Sequence, residues 1–137
     1  MNDANRTTSL EPCALLIGRV LLAAIFLHDG LFKLGNTALS GAYARSFGVP
    51  EQLLPLAIAV EIGGALLIAL GLYTRVCALL LAGFCMFTAI VFHTKFGDRN
   101  QLIHFEKNLA MAGGFLVLWV TGAGRLSIAR LLNRSEE

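Results

Sequence analysis

The chain is built from four long apolar runs separated by short polar segments, and little else. In hydrocarbon every backbone N–H and C=O must be paired within the chain, so runs of this length have to be helices. Run 13–32 would make a helix about 30 Å long, the thickness of a bilayer's hydrocarbon core. Run 53–72 has the same length and carries Pro55 in its first turn, where a missing N–H costs least. Runs 76–92 and 105–121 come to about 26 Å each. The last of them opens on Glu106, Lys107 and Asn108 and is closed by the helix-breaking glycines Gly122 and Gly124. Composition agrees: of 137 residues, 56% are hydrophobic and 15% charged, against roughly 45–50% and about 25% in soluble domains. The prediction is an all-α integral membrane four-helix bundle, residues 1–137 forming one domain in the lipid bilayer. Residues 126–132, with Arg130 among them, would form a short amphipathic tail on the membrane surface. The stretch before the first run lacks a convincing small-residue cleavage site, so the first helix is expected to be retained.

Four spans put both termini on one face, here the terminal face, together with the turn between the second and third spans. The opposite loop face carries the two longer connections, and segment 42–47 within the first of these is expected to be a short interfacial helix. The terminal face holds Arg6, Arg75, Arg125, Arg130 and Arg134; the loop face holds Lys33, Arg45, Lys95, Arg99 and Lys107. If Lys33 and Lys107 turn into the bundle, the positive-inside rule puts both termini in the cytoplasm. The net charge of +2 comes from scattered cations without a basic run, so nucleic acid is not an expected partner. Cys13, Cys77 and Cys85 contain no C-x-x-C pair and read as small buried hydrophobes.

Two charges stand deep inside the spans, well away from the loop-face ends that hold Asp29, Glu106 and Lys107. Arg19 lies in the first and Glu61 in the second, and a lone charge at such depth costs roughly 2.5–3.5 kcal/mol. Counted from the terminal face, Arg19 would lie about 9 Å deep and Glu61 about 16 Å, a gap that a guanidinium stem can cover. The two are therefore expected to form a buried ion pair, either architectural or functional. At 100° per residue Arg19, Phe26, Gly30 and Lys33 share a helix face, with Asp29 beside it and within i+4 reach of Lys33. His28 falls on the opposite face and is a weaker candidate. Near the loop face the topology also gathers His93, Lys95, His104, Glu106, Lys107 and Asn108, a plausible cavity mouth. No two of the three histidines have the i, i+4 spacing that presets a helical metal site, so no metal is expected. A polar pocket capped by Phe26, Phe32, Phe92 and Phe105 would suit the head group of a quinone. Ala57, Gly64, Ala65, Gly83 and Gly113-Gly114 are placed to let helices approach closely.

Taken in order, these pieces resemble the DoxX family of small four-helix membrane proteins from about residue 16 to 128. The resemblance rests on Gly18-Arg19 with Phe26, Gly30, Lys33 and Leu34, on Gly48-Val-Pro50, and on Glu61-Ile-Gly-Gly64 followed by Gly71 and Thr74-Arg75. It continues through His104-Phe-Glu-Lys107-Asn108, Gly113-Gly114 and Gly122-Ala-Gly-Arg125-Leu-Ser127. It implies a protein of the bacterial cytoplasmic (inner) membrane, whose relatives are associated with quinone-linked sulfur oxidation and membrane oxidoreductase complexes. The leading expectation is thus a small subunit or accessory protein of a membrane redox system, with a quinone-type site and no tightly bound cofactor. Lys33, Lys107 and Asn108 would bind carbonyl oxygens, Glu61 or Glu106 would move protons, and electrons would come from a redox partner protein. A second copy of the chain is the other partner considered. The alternatives are a small-solute carrier or channel lined by Arg19 and Glu61, and a non-catalytic scaffold.

Overall fold

A computed structural model describes residues 3–134, and every regular element in it is helical. The elements are α1 (Asp3–Gly35), α2 (Thr37–Ser46), α3 (Leu54–Leu70), α4 (Thr74–Phe92), α5 (Arg99–Thr121) and α6 (Ile128–Arg134), with a 3₁₀ turn at Glu51–Leu53 ahead of α3. Three segments are long and apolar enough to cross a membrane: Leu10–Gly35, Glu51–Leu70 and Thr74–Phe92. The protein is an all-α membrane protein. Its long helices run up and down, with α1 packed chiefly on α3 and α4 chiefly on α5, and the two pairs are joined through α3 and α4.

The centre is closed by Phe115, Ile68, Leu81 and Cys85, all fully buried. Phe26 binds the halves together, its ring edge-on to Phe115 at 5.3 Å and to Phe84 at 6.3 Å. Edge-to-face contacts of this kind add about 0.5–1.5 kcal/mol beyond the area buried. Leu21 and Leu80, on two of these spans, are more than 60% exposed on the outside of the bundle, where lipid rather than water is their solvent. Backbone approach follows the small residues only in part. A Cβ on Gly64 would stand 3.2 Å from Leu81, and one on Gly114 would stand 3.2 Å from Leu22, whereas Gly83 and Gly113 have nothing within 4 Å.

The helices depart from the apolar runs at their ends. α1 begins at Asp3, ten residues before the run it contains, because a nucleated helix gains one hydrogen bond for each polar residue added. α2 is ten residues long, not the short piece expected at 42–47. α5 starts at Arg99, six residues before its apolar run, because Asp98 Oδ1 accepts from the amide of Asn100 at 2.8 Å and caps the helix. The terminal helix begins at Ile128 and so lies two residues later than expected. Cys77 and Cys85 are buried as expected, but Cys13 is exposed, standing on the outer face of α1.

Candidate functional site

The residues that meet inside the bundle are set by one glycine. A Cβ at Gly30 would lie 2.7 Å from Ile62 Cγ1, 3.1 Å from Glu61 Cβ and 3.3 Å from the Ile62 amide nitrogen. Only hydrogen fits there, so α1 and α3 touch, and Lys33, one turn further on, reaches Glu61. Lys33 Nζ donates to Glu61 Oε1 at 2.5 Å. The Glu61 side chain is 3% exposed and that of Lys33 28%. The second carboxylate oxygen, Oε2, is buried with no hydrogen-bond partner.

This corrects the expected ion pair between Arg19 and Glu61. Arg19 instead donates from Nη1 to the carbonyl of Ala123 at 2.6 Å and from Nη2 to the carbonyl of Leu126. Counting depth from residue 13 assumed that the first run starts level with the end of α3; α1 instead runs on past that end, so Arg19 is shallower than the count made it. Arg19 lies level with Gly71, the last turn of α3, and Glu61 is ten residues away, about 15 Å along the helix. Lys33 likewise pairs with Glu61 and not with Asp29. Asp29 faces His28 at 3.5 Å, with both side chains more than half exposed.

Around the Lys33–Glu61 pair lies a cavity of about 860 Å³. Its walls are mostly apolar, with Phe26, Phe32, Phe84, Phe87 and Phe92 supplied by α1 and α4, and α2 closes one side through Leu39, Ser40 and Tyr43. Tyr43, Phe47 and Phe92 form an aromatic cluster with centroids 5.0–5.7 Å apart, and Lys95 Nζ stands 5.4 Å above the ring of Phe47. Arg45 pairs with Glu51, tying the end of α2 to the turn before α3. On the α5 side, buried Asn108 donates to the carbonyl of His104 at 2.9 Å and lies 3.0 Å from Thr88 Oγ1. That hydroxyl is also 3.0 Å from the carbonyl of Cys85, and its single proton serves one acceptor at a time. His93 stacks on His104 at 5.1 Å and holds Gln101 Oε1 at 2.9 Å through Nδ1.

The cavity therefore gathers Lys33, Glu61, Asp29, His93, His104, Lys107 and Asn108 at the end of the bundle away from the termini. Arg19, His28 and Glu106 are not on its walls; Glu106 and His28 are exposed. Phe105 also stays out, packing edge-on against Phe96 at 5.1 Å. Tyr43, Phe84, Phe87, Thr88 and Gln101 belong to the walls without having been singled out. Two of them had a signal: Asp98-x-x-Gln101 is a capping pattern that starts α5 early, and Tyr43 is the aromatic of the expected interfacial helix. Among the described residues no three of His, Cys, Asp and Glu cluster as metal ligands.

Residues 14–94, from the first span to the end of the third, match the model of the DoxX family. The chain belongs to the DoxX family. It is 42% identical to inner membrane protein YqjF of Escherichia coli (strain K12) over 125 residues, 91% of this chain and 96% of that one. It is 36% identical to inner membrane protein YphA of the same organism over 127 residues, 88% of this chain and 91% of that one. No solved structure matches. In this DoxX-family chain Lys33 and Glu61 both fall within the family match, as does Gly30 between α1 and α3, whereas Lys107 and Asn108 lie beyond it. Arg19, Gly71 and Thr74-Arg75 also fall within it, yet they stand at the opposite end, around the segment that leads to α6.

Proposed function

We propose that this DoxX-family chain is an inner-membrane protein that holds the head group of a membrane-dissolved, quinone-type compound, as a small subunit or accessory protein of a membrane redox system. The observation that carries this reading is the cavity of about 860 Å³ around Lys33 and Glu61. Its size falls within the range of roughly 300–1,000 Å³ typical of ligand pockets, and its makeup, apolar walls with a few convergent polar groups, is what such pockets share. Lys33 and Lys107 offer donors to carbonyl oxygens, Asn108 a further donor, and Glu61 Oε2 an acceptor next to them. Electrons would come from a partner protein. The names of both relatives support an inner-membrane location. The fully buried layer of Phe115, Ile68, Leu81 and Cys85 closes the bundle beyond the cavity, which disfavours a channel.

A short-chain quinone titrated into the detergent-solubilised protein, followed by native mass spectrometry, is expected to bind. Lys107→Ala should weaken binding about tenfold, the loss of one charge-assisted hydrogen bond. Glu106→Gln, outside the cavity, should leave it unchanged. A folded protein that neither carries quinone nor binds it would make the chain a scaffold.

The same reading includes α5 as a fourth crossing, its polar first turns at headgroup depth and both termini in the cytoplasm. Lys33 turned onto Glu61 and Lys107 on the cavity wall support leaving these two cations out of the loop-face count. A reporter that works only outside the cytoplasm should be silent when fused after Glu137 and active when inserted at Gly97, between α4 and α5. The reverse pattern would overturn the orientation.

A further inference from the structure

At the opposite end of the bundle from the cavity, a shallow hollow of about 390 Å³ opens where α3 hands over to α4. Its walls include Gly71, Thr74, Arg75, Gly122 and Ala123. The first hydrogen bond of α4 runs from the amide of Cys77 to the carbonyl of Tyr73, and no side chain caps the helix. The amides of residues 74–76 therefore have no partner inside the helix, and they sit at the positive end of its dipole. Thr74 is 5% exposed, yet its hydroxyl is buried without a hydrogen-bond partner. Arg75 stands over the hollow and holds the carbonyl of Val120 at 3.3 Å. Just behind Gly71 lies Arg19, 3% exposed, with its Nε also unpartnered. Among the described residues no carboxylate lies within 4 Å of either guanidinium.

One cation, three open amides and an orphan hydroxyl on one hollow, with the guanidinium of Arg19 behind it, all call for the same thing, an oxygen anion. From these groups we infer that the hollow binds a phosphate-type anion, at this depth the phosphodiester of an anionic phospholipid. The hollow lies where two spans end, the level at which lipid phosphates stand, and exposed Tyr73 marks that interface. Arg75 and the amides would hold the oxygens, Thr74 would donate its hydroxyl, and the buried charge of Arg19 would gain the counter-charge that the protein itself does not supply. This site is independent of the quinone-type reading and makes no use of the cavity.

Native mass spectrometry of the full chain from micelles with equal amounts of phosphatidylglycerol and phosphatidylcholine tests it. The wild type should retain the anionic lipid about fivefold over the neutral one, the ratio expected for one cation placed at a lipid headgroup. Arg75→Gln should bring the ratio close to unity, Thr74→Val should lower it, and Arg99→Gln, at the far end, should leave it unchanged. Circular dichroism confirms that each variant is folded. Inorganic phosphate against chloride at matched ionic strength separates the two sources of the anion. If phosphate raises the melting temperature of the wild type but not of Arg75→Gln, and no lipid is preferred, the hollow is an anion site served by free phosphate. The absence of both effects in folded protein would overturn the inference, as would a lipid preference that survives both Arg75→Gln and Thr74→Val or falls equally in Arg99→Gln.

Discussion

Lys33→Met is expected to destabilise the protein by about 3–5 kcal/mol, the usual cost of leaving one member of a buried ion pair without its partner. The carboxylate left behind is the expensive part. Glu61 is 3% exposed and already has one oxygen without a partner, so losing the Lys33 ammonium strips the other as well. Glu61→Leu should cost less, because Lys33 is 28% exposed and its stem is long enough to carry the ammonium out to the headgroups. The double variant Lys33→Met/Glu61→Leu should recover most of the loss, since two apolar groups of similar volume can replace a buried pair at little net cost. Thermal or denaturant unfolding in detergent of the two single variants and the double variant gives the coupling directly. Equal losses in the two singles would contradict the asymmetry, and additive losses would show that the pair contributes nothing as a pair. Quinone titration of the double variant then separates the roles: full binding makes the pair architectural, and lost binding in a stable protein places it in the site.

The bundle was legible because bilayer thickness and backbone satisfaction leave a chain with these apolar runs so few options. Pairing of charges was less legible, since it depends on relative helix depth, and apolar runs do not report where helices start. Setting residue 13 level with the end of α3, which α1 in fact overshoots, displaced Arg19 inward and produced a partner in Glu61 that the structure gives to Lys33. Gly30 held the missing information. Its position on the same face as Phe26 and Lys33 was readable, but the fact that its hydrogen is all that fits against Glu61 and Ile62 is a property of two helices together. The polar cluster at the loop face was readable from topology alone, because four antiparallel helices bring 29–33, 93 and 104–108 to one end. What no sequence pattern announced was α2 as a wall of the cavity. The sequence pointed to a short interfacial helix at 42–47; the full ten-residue helix turns Leu39, Ser40, Tyr43 and Ala44 to the cavity and buries Gly41 against Glu51, a contact that no pattern within the segment reports.

Arg19→Met is the other substitution with a large expected effect, and it should act at a distance from the cavity. The guanidinium holds the carbonyls of Ala123 and Leu126, on either side of Gly124, so it fastens the segment between α5 and α6 to the start of the bundle. Hydrogen bonds from a charged group contribute about 1.5–3 kcal/mol each, which puts the loss of the two at about 3–6 kcal/mol. Gly71 shows how tightly this joint is built. Its φ of +73° is the left-handed conformation that ends α3, and a Cβ there would lie 2.5 Å from Ser127 Cβ and 2.6 Å from Arg19 Nη1. Loss of the clamp should therefore free the C-terminal segment first. In Arg19→Met, hydrogen exchange over 122–132 should rise well before that of α3, and Arg19→Lys should recover only part of the protection, because an ammonium lacks the fork that spans two carbonyls. Combined with Glu61→Leu, the effect should be additive within about 0.5 kcal/mol, as expected for sites more than about 10 Å apart. Coupling of 1 kcal/mol or more, with no local release of residues 122–132, would instead restore Arg19 and Glu61 as partners and refute the clamp.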